Sequence, residues 1–147
     1  GALAEALRSL GAEVGVSQDG ATESLDAGPC FQSPAQGEVV AGGKKLVGSA
    51  QLRVGGALLQ HGSIMLSGDQ TLLSELRESQ DEHRAPATLE GLIGAVTVDE
   101  VAAAAAAHME MTFGGEWASG GYEVGELEEA ERLEAERYAQ DSWTWRR

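Results

Sequence analysis

A thiol at Pro29-Cys30-Phe31 and an ammonium at Lys44-Lys45-Leu46-Val47 are the groups of this chain best suited to making and breaking bonds. A thiol reacts as its thiolate, and an ammonium nearby favours the thiolate while stabilising negative charge that builds on a carbonyl oxygen. Each residue also has a plainer reading, because free cysteine commonly behaves as a small buried apolar group and a strand lysine is commonly a solvated edge residue. Gly48 lacks a side chain where a strand normally carries one, which marks close approach of a ligand or a bulge. Ser49 has no base recognisable beside it and reads as a packing or hydrogen-bonding residue, not a nucleophile. His61 could act as a base, but among Leu59, Gln60 and Gly62 it reads as a hydrogen-bonding histidine of a buried strand. His83 and His108 lack metal-ligand spacing with a cysteine or a carboxylate pair, so no metal site is expected.

The elements that must position these groups are legible as changes of period. Leu3, Leu7 and Leu10 mark one face of a helix over residues 2–10, with Gly11 where such a helix stops. Residues 12–16 read as a short strand, and the polar, turn-rich stretch 17–28 reads as a loop that delivers Cys30. From Glu38 to Leu66 the pattern is strand, turn, strand, turn, strand, with Gly42-Gly43 and Gly55-Gly56 as the turns. The two-residue repeat puts Lys45, Val47, Ser49, Gln51 and Arg53 on one face of the second strand, and Leu46, Gly48, Ala50 and Leu52 on the other. Lys44 then reads as surface. Helices follow: one opened by Asp69 ahead of Leu72, Leu73 and Leu76, and one opened by the capping box Thr97-Val98-Asp99-Glu100 and closed near Phe113-Gly114-Gly115. A last helix over residues 126–140 should pair Glu128 with Arg132. Trp143 and Trp145, two apart, suit an extended tail that buries one face against the domain. Strands first and helices afterwards indicate an α+β fold, an antiparallel sheet with flanking helices.

The order of these segments carries a family resemblance. Gly42-Gly43-Lys44-Lys45-Leu46-Val47-Gly48-Ser49-Ala50-Gln51 closely resembles the signature of the lipoate-protein ligase and octanoyltransferase family, and Leu59-Gln60-His61-Gly62-Ser63-Ile64-Met65-Leu66 resembles its next strand. The tryptophan-ended tail resembles the family's close, so the likeness runs from about Pro29 to Arg147. The resemblance implies a biotin/lipoate ligase-like fold in which Lys45 contacts the carbonyl of the acyl group. It also implies a substrate-binding set of Gly48, Ser49, Ala50, Gln51, His61 and Gly62. Pro29-Cys30-Phe31 resembles the nucleophile loop of the cysteine-dependent octanoyltransferases, which makes Cys30 and Lys45 the catalytic pair. This branch implies no cofactor, an acyl carrier protein as donor, and a lipoyl-carrier protein as acceptor, either a glycine cleavage H protein or a dehydrogenase E2 lipoyl domain. The ligase branch of the family instead uses ATP and magnesium, and a non-catalytic accessory fragment is the third alternative. The family's arginine-arginine-x-(threonine or serine)-glycine-glycine-glycine loop is not in this sequence; in the family it precedes the region covered here. Residues 1–147 are thus expected to be the carboxyl-terminal portion of such a catalytic domain, with sheet and core helices over 1–116 and a terminal helix and tail over 117–147.

Composition narrows the partners. The formal charge of −14, from 24 acidic against 10 basic residues, opposes a phosphate backbone, so nucleic acid is not expected. A hydrophobic share of 42 % in 147 residues is ordinary for a globular domain with its own core. The alanine run at 102–107 is too short to span a bilayer and is followed at once by His108 and Glu110, so no membrane segment is expected. With one cysteine and no basic-then-apolar leader, a reducing cytoplasm is the expected compartment. The chain opens on Gly1-Ala2-Leu3 already in helical rhythm, as a fragment or processed chain does.

Overall fold

A computed structural model describes residues 1–18, 31, 33–69 and 85–146. It divides into two compact units, Gly1–Gly115 and Glu116–Arg147.

The first unit begins with helix α1 (Ala2–Ser9), which turns Ala4, Ala6 and Leu7 inward. The chain leaves the helix through Gly11, whose φ of +97° is a left-handed value that a side chain disfavours. Arg8 then ties helix to sheet: its Nε and Nη2 donate to the Val14 carbonyl at 2.9 and 2.8 Å, while Nη1 meets Glu5 at 2.6 Å. The strand expected over residues 12–16 is regular only at its end, as β1 (Gly15–Val16).

The meander is present as β2 (Val39–Ala41), β3 (Lys44–Val54) and β4 (Ala57–Ile64), giving an antiparallel sheet in the order β1-β2-β3-β4. Both turns are two-residue diglycines with positive φ, 55° and 74° at Gly42-Gly43 and 57° and 84° at Gly55-Gly56. Two consecutive positive φ values give the turn twist that matches the strands, and glycine adopts them without a Cβ penalty.

One irregularity governs the sheet. Val40 pairs with Lys45 but Val39 pairs with Val47, so β3 carries one residue more than β2, Leu46. This is a β-bulge, and it inverts the alternation. Cross-strand partners share a face, so Val47 lies with Val39 and Lys45 lies with Val40, on the opposite side. The expected grouping of Lys45 with Ser49 and Gln51 is therefore corrected. By register Lys45 shares its face with Gly48 and Ala50, and with their β4 partners Ser63 and His61. The backbone groups that the bulge displaces are satisfied, since the Lys45 carbonyl accepts from Ala87 N–H at 2.9 Å and the Leu46 carbonyl from Met65 N–H at 3.1 Å.

Val39, Ala41, Leu46 and Val47 meet Ala4, Leu7, Ala12, Val14, Leu89 and Val101 in one core. Leu7, Leu46 and Leu89 are its largest fully buried side chains, each contributing about 1.5–3 kcal/mol by removal of apolar surface from water. Leu89 opens α2 (Leu89–Ile93), capped by Thr88, whose Oγ1 accepts from Gly91 N–H at 3.1 Å. Helix α3 (Val98–Phe113) carries the expected capping box, with Thr97 and Glu100 each satisfying the other's backbone N–H, and ends at Gly114. It packs on α1. Its least exposed residues, Val101, Ala104, Ala105, His108 and Met109, follow the three-and-four spacing of a single helical stripe. Among the described residues no helix is long and apolar enough to cross a membrane. The helix expected from Asp69 through Leu76 lies outside the described residues beyond Asp69, as does His83.

The second unit contains α4 (Val124–Leu133), a π-helical turn at Glu134–Tyr138, and α5 (Asp141–Thr144). Arg132 does not choose Glu128; it pairs with Glu129 at 2.6 Å and Glu136 at 2.5 Å, one partner on either side along the helix. The tail is also corrected. It is helical, not extended, so residues two apart point in nearly opposite directions. Trp143 is half-buried, edge-on to Tyr138 with ring centroids 4.9 Å apart, and the guanidinium groups of Arg137 and Arg146 each lie over its ring. Trp145 is 75 % exposed.

Candidate functional site

Lys45 enters β3 directly after a tight turn, and the bulge turns it away from Val39 and Val47. Its side chain is nonetheless only 10 % exposed. A buried ammonium requires a counter-charge. Glu38 supplies it: Oε2 lies 2.8 Å from Lys45 Nζ, and the Glu38 side chain is itself 7 % exposed. The carboxylate is saturated by backbone donors as well. Ala35 N–H donates to Oε2 at 2.8 Å and Ser49 N–H donates to Oε1 at 3.2 Å. Phe31 completes the surroundings, buried, with its ring centroid 5.9 Å from the ammonium, within the range of a cation–π contact.

Phe31 follows Cys30 in sequence; Cys30 itself lies outside the described residues, as do residues 19–29 of the expected delivery loop. The structure thus brings together Lys45, Glu38, Phe31 and the backbone of Ser49. Lys44 is exposed, as expected, at the end of β3 directly after the turn.

The remaining expected residues spread along the hairpin. Gly48 is half-buried on the Lys45 face, while Ser49, Ala50 and Gln51 are exposed, and Gln51 Nε2 donates to Gln60 Oε1 at 2.5 Å across the strands. His61 is exposed opposite Ala50, not buried, because past Gly48 the hairpin runs beyond the core and carries even Leu52 and Leu59 into solvent. Gly62 has a distinct constraint: a Cβ there would sit 2.9 Å from the Gly48 carbonyl oxygen, closer than side chains approach backbone. Glycine at 62 lets β4 lie against β3 beside the Lys45 site.

Sequence reasoning missed Glu38. It begins the apolar run Val39-Val40-Ala41, and in a chain with 24 acidic residues nothing in its type sets it apart. The usable signal was hairpin arithmetic. A two-residue turn at Gly42-Gly43 pairs Val40 with Lys45, and Glu38, two residues from Val40, is then a same-face diagonal neighbour of the lysine.

The sequence model of the lipoyl protein ligase A/B catalytic domain matches residues 1–110. This chain belongs to that family. Among curated relatives it is 39 % identical over 131 residues to octanoyltransferase LipM of Kyrpidia tusciae, covering 80 % of this chain and 47 % of the relative. It is 50 % identical over 68 residues to the LipM of Moorella thermoacetica, covering 45 % and 25 %, and 33 % identical over 129 residues to that of Bacillus subtilis, covering 80 % and 46 %. The chain spans about half the length of the LipM relatives that it matches most broadly. Its fold is that of a putative lipoate protein ligase from T. acidophilum solved with bound lipoic acid, at a TM-score of 0.77 and 23 % identity over 97 % of this chain and 54 % of that one. A lipoate-protein ligase A solved with ATP gives the same TM-score, 0.77, at 23 % identity and the same coverage. The antiparallel sheet and flanking helices of the first unit are thus the lipoyl ligase family's fold.

Proposed function

We propose that this chain is part of a cysteine-dependent octanoyltransferase of protein lipoylation, working in the cytoplasm without ATP or metal. The observation that carries the reading is the buried, ion-paired ammonium of Lys45, in a chain whose relatives bear the name octanoyltransferase. An ammonium has three N–H donors, and Glu38 is the hydrogen-bonding partner of Lys45 among the described residues. Among the described residues, donor capacity therefore remains for an acyl carbonyl oxygen.

In the proposed reaction the Cys30 thiolate attacks the thioester carbonyl of an octanoylated acyl carrier protein. The new C–S bond forms, the carrier's thiolate leaves, and the octanoyl group rests on Cys30. The amine of a lysine on a lipoyl-carrier protein then attacks the same carbonyl. A C–N bond forms, the amine gives up a proton, and the Cys30 thiolate is released. At both steps charge builds on the carbonyl oxygen, and Lys45 stabilises it there. A glycine cleavage H protein or an E2 lipoyl domain fits the acceptor role; a structural neighbour of the same fold is described as a bi-partite ligase with its E2 lipoyl domain.

The test uses the complete protein that carries this chain. Incubation with octanoylated acyl carrier protein should add one octanoyl group by intact mass, and hydroxylamine should remove it. Cys30→Ser should abolish adduct and turnover together, whereas Lys45→Ala should slow acylation at a cost of about 3 kcal/mol, as loss of an oxyanion donor does. Full activity of Cys30→Ser with a requirement for ATP would replace this reading with that of a ligase.

A further inference from the structure

Glu38 takes part in none of the steps just described, yet it is the most heavily engaged side chain at the site. One oxygen is held by the Lys45 ammonium and by Ala35 N–H, both at 2.8 Å, and the other by Ser49 N–H at 3.2 Å. Its own carbonyl accepts from Ser17 N–H at 2.9 Å, so the backbone that carries it is fixed by the segment after β1. Both partners of the ion pair are nearly excluded from water, at 7 % and 10 % side-chain exposure.

We infer that Glu38 is the positioning residue for Lys45, holding the ammonium in the single orientation from which it meets the acyl carbonyl; this deepens the octanoyl-transfer reading and rests on it. A lysine has four rotatable bonds, and an unpaired ammonium would seek water. A carboxylate anchored by two backbone N–H groups cannot follow it, so the lysine comes to the carboxylate. Bound this way on one side, the ammonium keeps donors, among the described residues, for a carbonyl. Glu38 also ties Ser49, on β3, to Ala35, in the stretch that leads on from Phe31. An aspartate, one methylene shorter, keeps the charge but cannot span all three donors.

The experiment is a double-mutant cycle on octanoyl transfer in the complete protein, with octanoylated acyl carrier protein as donor. Glu38→Gln should lower kcat at least ten-fold with the KM for the donor changed less than two-fold, and Glu38→Asp should restore part of the loss. In a Lys45→Ala background, Glu38→Gln should change kcat less than two-fold, because the group it positions is gone. Equal losses from Glu38→Gln in both backgrounds would overturn the positioning role while leaving octanoyl transfer standing. If Lys45→Ala itself transfers octanoyl at the original rate, the role of Lys45 falls and the positioning role with it. If Glu38→Gln does not fold, the cycle is run with Glu38→Asp, and an equal loss in both backgrounds again overturns the inference.

Discussion

Replacing Lys45 by methionine keeps most of the side-chain volume and removes the charge, which isolates the electrostatic part of the buried pair. The Glu38 carboxylate, 7 % exposed, is then left with the N–H groups of Ala35 and Ser49 but no cation. Removing one member of a buried ion pair costs about 3–5 kcal/mol, and the two surviving hydrogen bonds place this case near the lower figure. Glu38→Gln alone strands the ammonium instead and should cost a similar amount, about 3 kcal/mol. The informative variant is the double substitution. With both charges removed, the glutamine oxygen can still accept from Ala35, while Ser49 N–H loses its acceptor, a cost of about 1–3 kcal/mol. Glu38→Gln is thus expected to destabilise when Lys45 is present and to be neutral or stabilising in the Lys45→Met background.

The assay must report on the correct unit. All three tryptophans, Trp117, Trp143 and Trp145, lie in Glu116–Arg147, so indole fluorescence would follow the wrong one. Amide hydrogen exchange of residues 38–66 across a urea series reads the strands that hold the pair. An equal, same-signed cost of Glu38→Gln in both backgrounds would refute the coupling on which this reasoning depends.

Gly62→Ala should destabilise the β3–β4 hairpin by about 1–3 kcal/mol through the clash with the Gly48 carbonyl. Gly121→Ala, with open space around it, serves as the control in the same thermal melt. In the second unit, Trp143→Ala should cost about 1–3 kcal/mol by removing the Tyr138 edge contact and the two guanidinium contacts, while Trp145→Ala should leave the near-ultraviolet dichroism melt unchanged. The Glu100 carboxyl is held below the usual carboxylate value by hydrogen bonds first from the Thr97 backbone and then from its side chain. A folded value below the unfolded one means that the stabilisation is fully present above the unfolded value and is lost as pH falls through the folded one. Exchange protection at the start of α3 should fall over that acidic window, and Thr97→Ala, which removes the hydroxyl but keeps the backbone donor, should weaken the dependence without abolishing it.

What the sequence disclosed were features set by neighbours in the chain. Diglycine turns admit few backbone geometries, so Gly42-Gly43 and Gly55-Gly56 located three strands. Thr97 and Glu100 announced their helix because a capping box is complete within four residues. Features decided by distant contacts did not show. Lys45, Leu46 and Val47 are buried in succession, and Leu46-Val47 is an unbroken apolar pair, so hydrophobic alternation carries no mark of which residue is the extra one. The pairing with β2 makes that choice, and the carbonyls of Lys45 and Leu46 find donors at Ala87 and Met65, 42 and 19 residues further on. The expectation for His61 failed for a related reason. Leu59, Gln60 and Gly62 read as the neighbours of a buried strand, yet burial depends on what lies over a face, and these residues are past the edge of the core.

The bulge also explains how one strand serves both the core and the site. Under simple alternation Lys45 and Val47 would share a face, and Val47 lies with Val39 and Ala41 in the apolar core. An ammonium on that side would enter the core with no carboxylate among the core residues, a penalty far larger than one valine returns. Inserting Leu46 moves Lys45 to the other face while keeping Val47 in place, and Leu46 itself becomes one of the largest fully buried side chains. On that face the lysine is diagonal to Glu38, whose carboxylate is already fixed by two backbone donors. A single extra residue therefore resolves the conflict between packing and charge locally. The proposed acyl-contacting lysine can be buried and ionised because the residue after it, and not the lysine, enters the core.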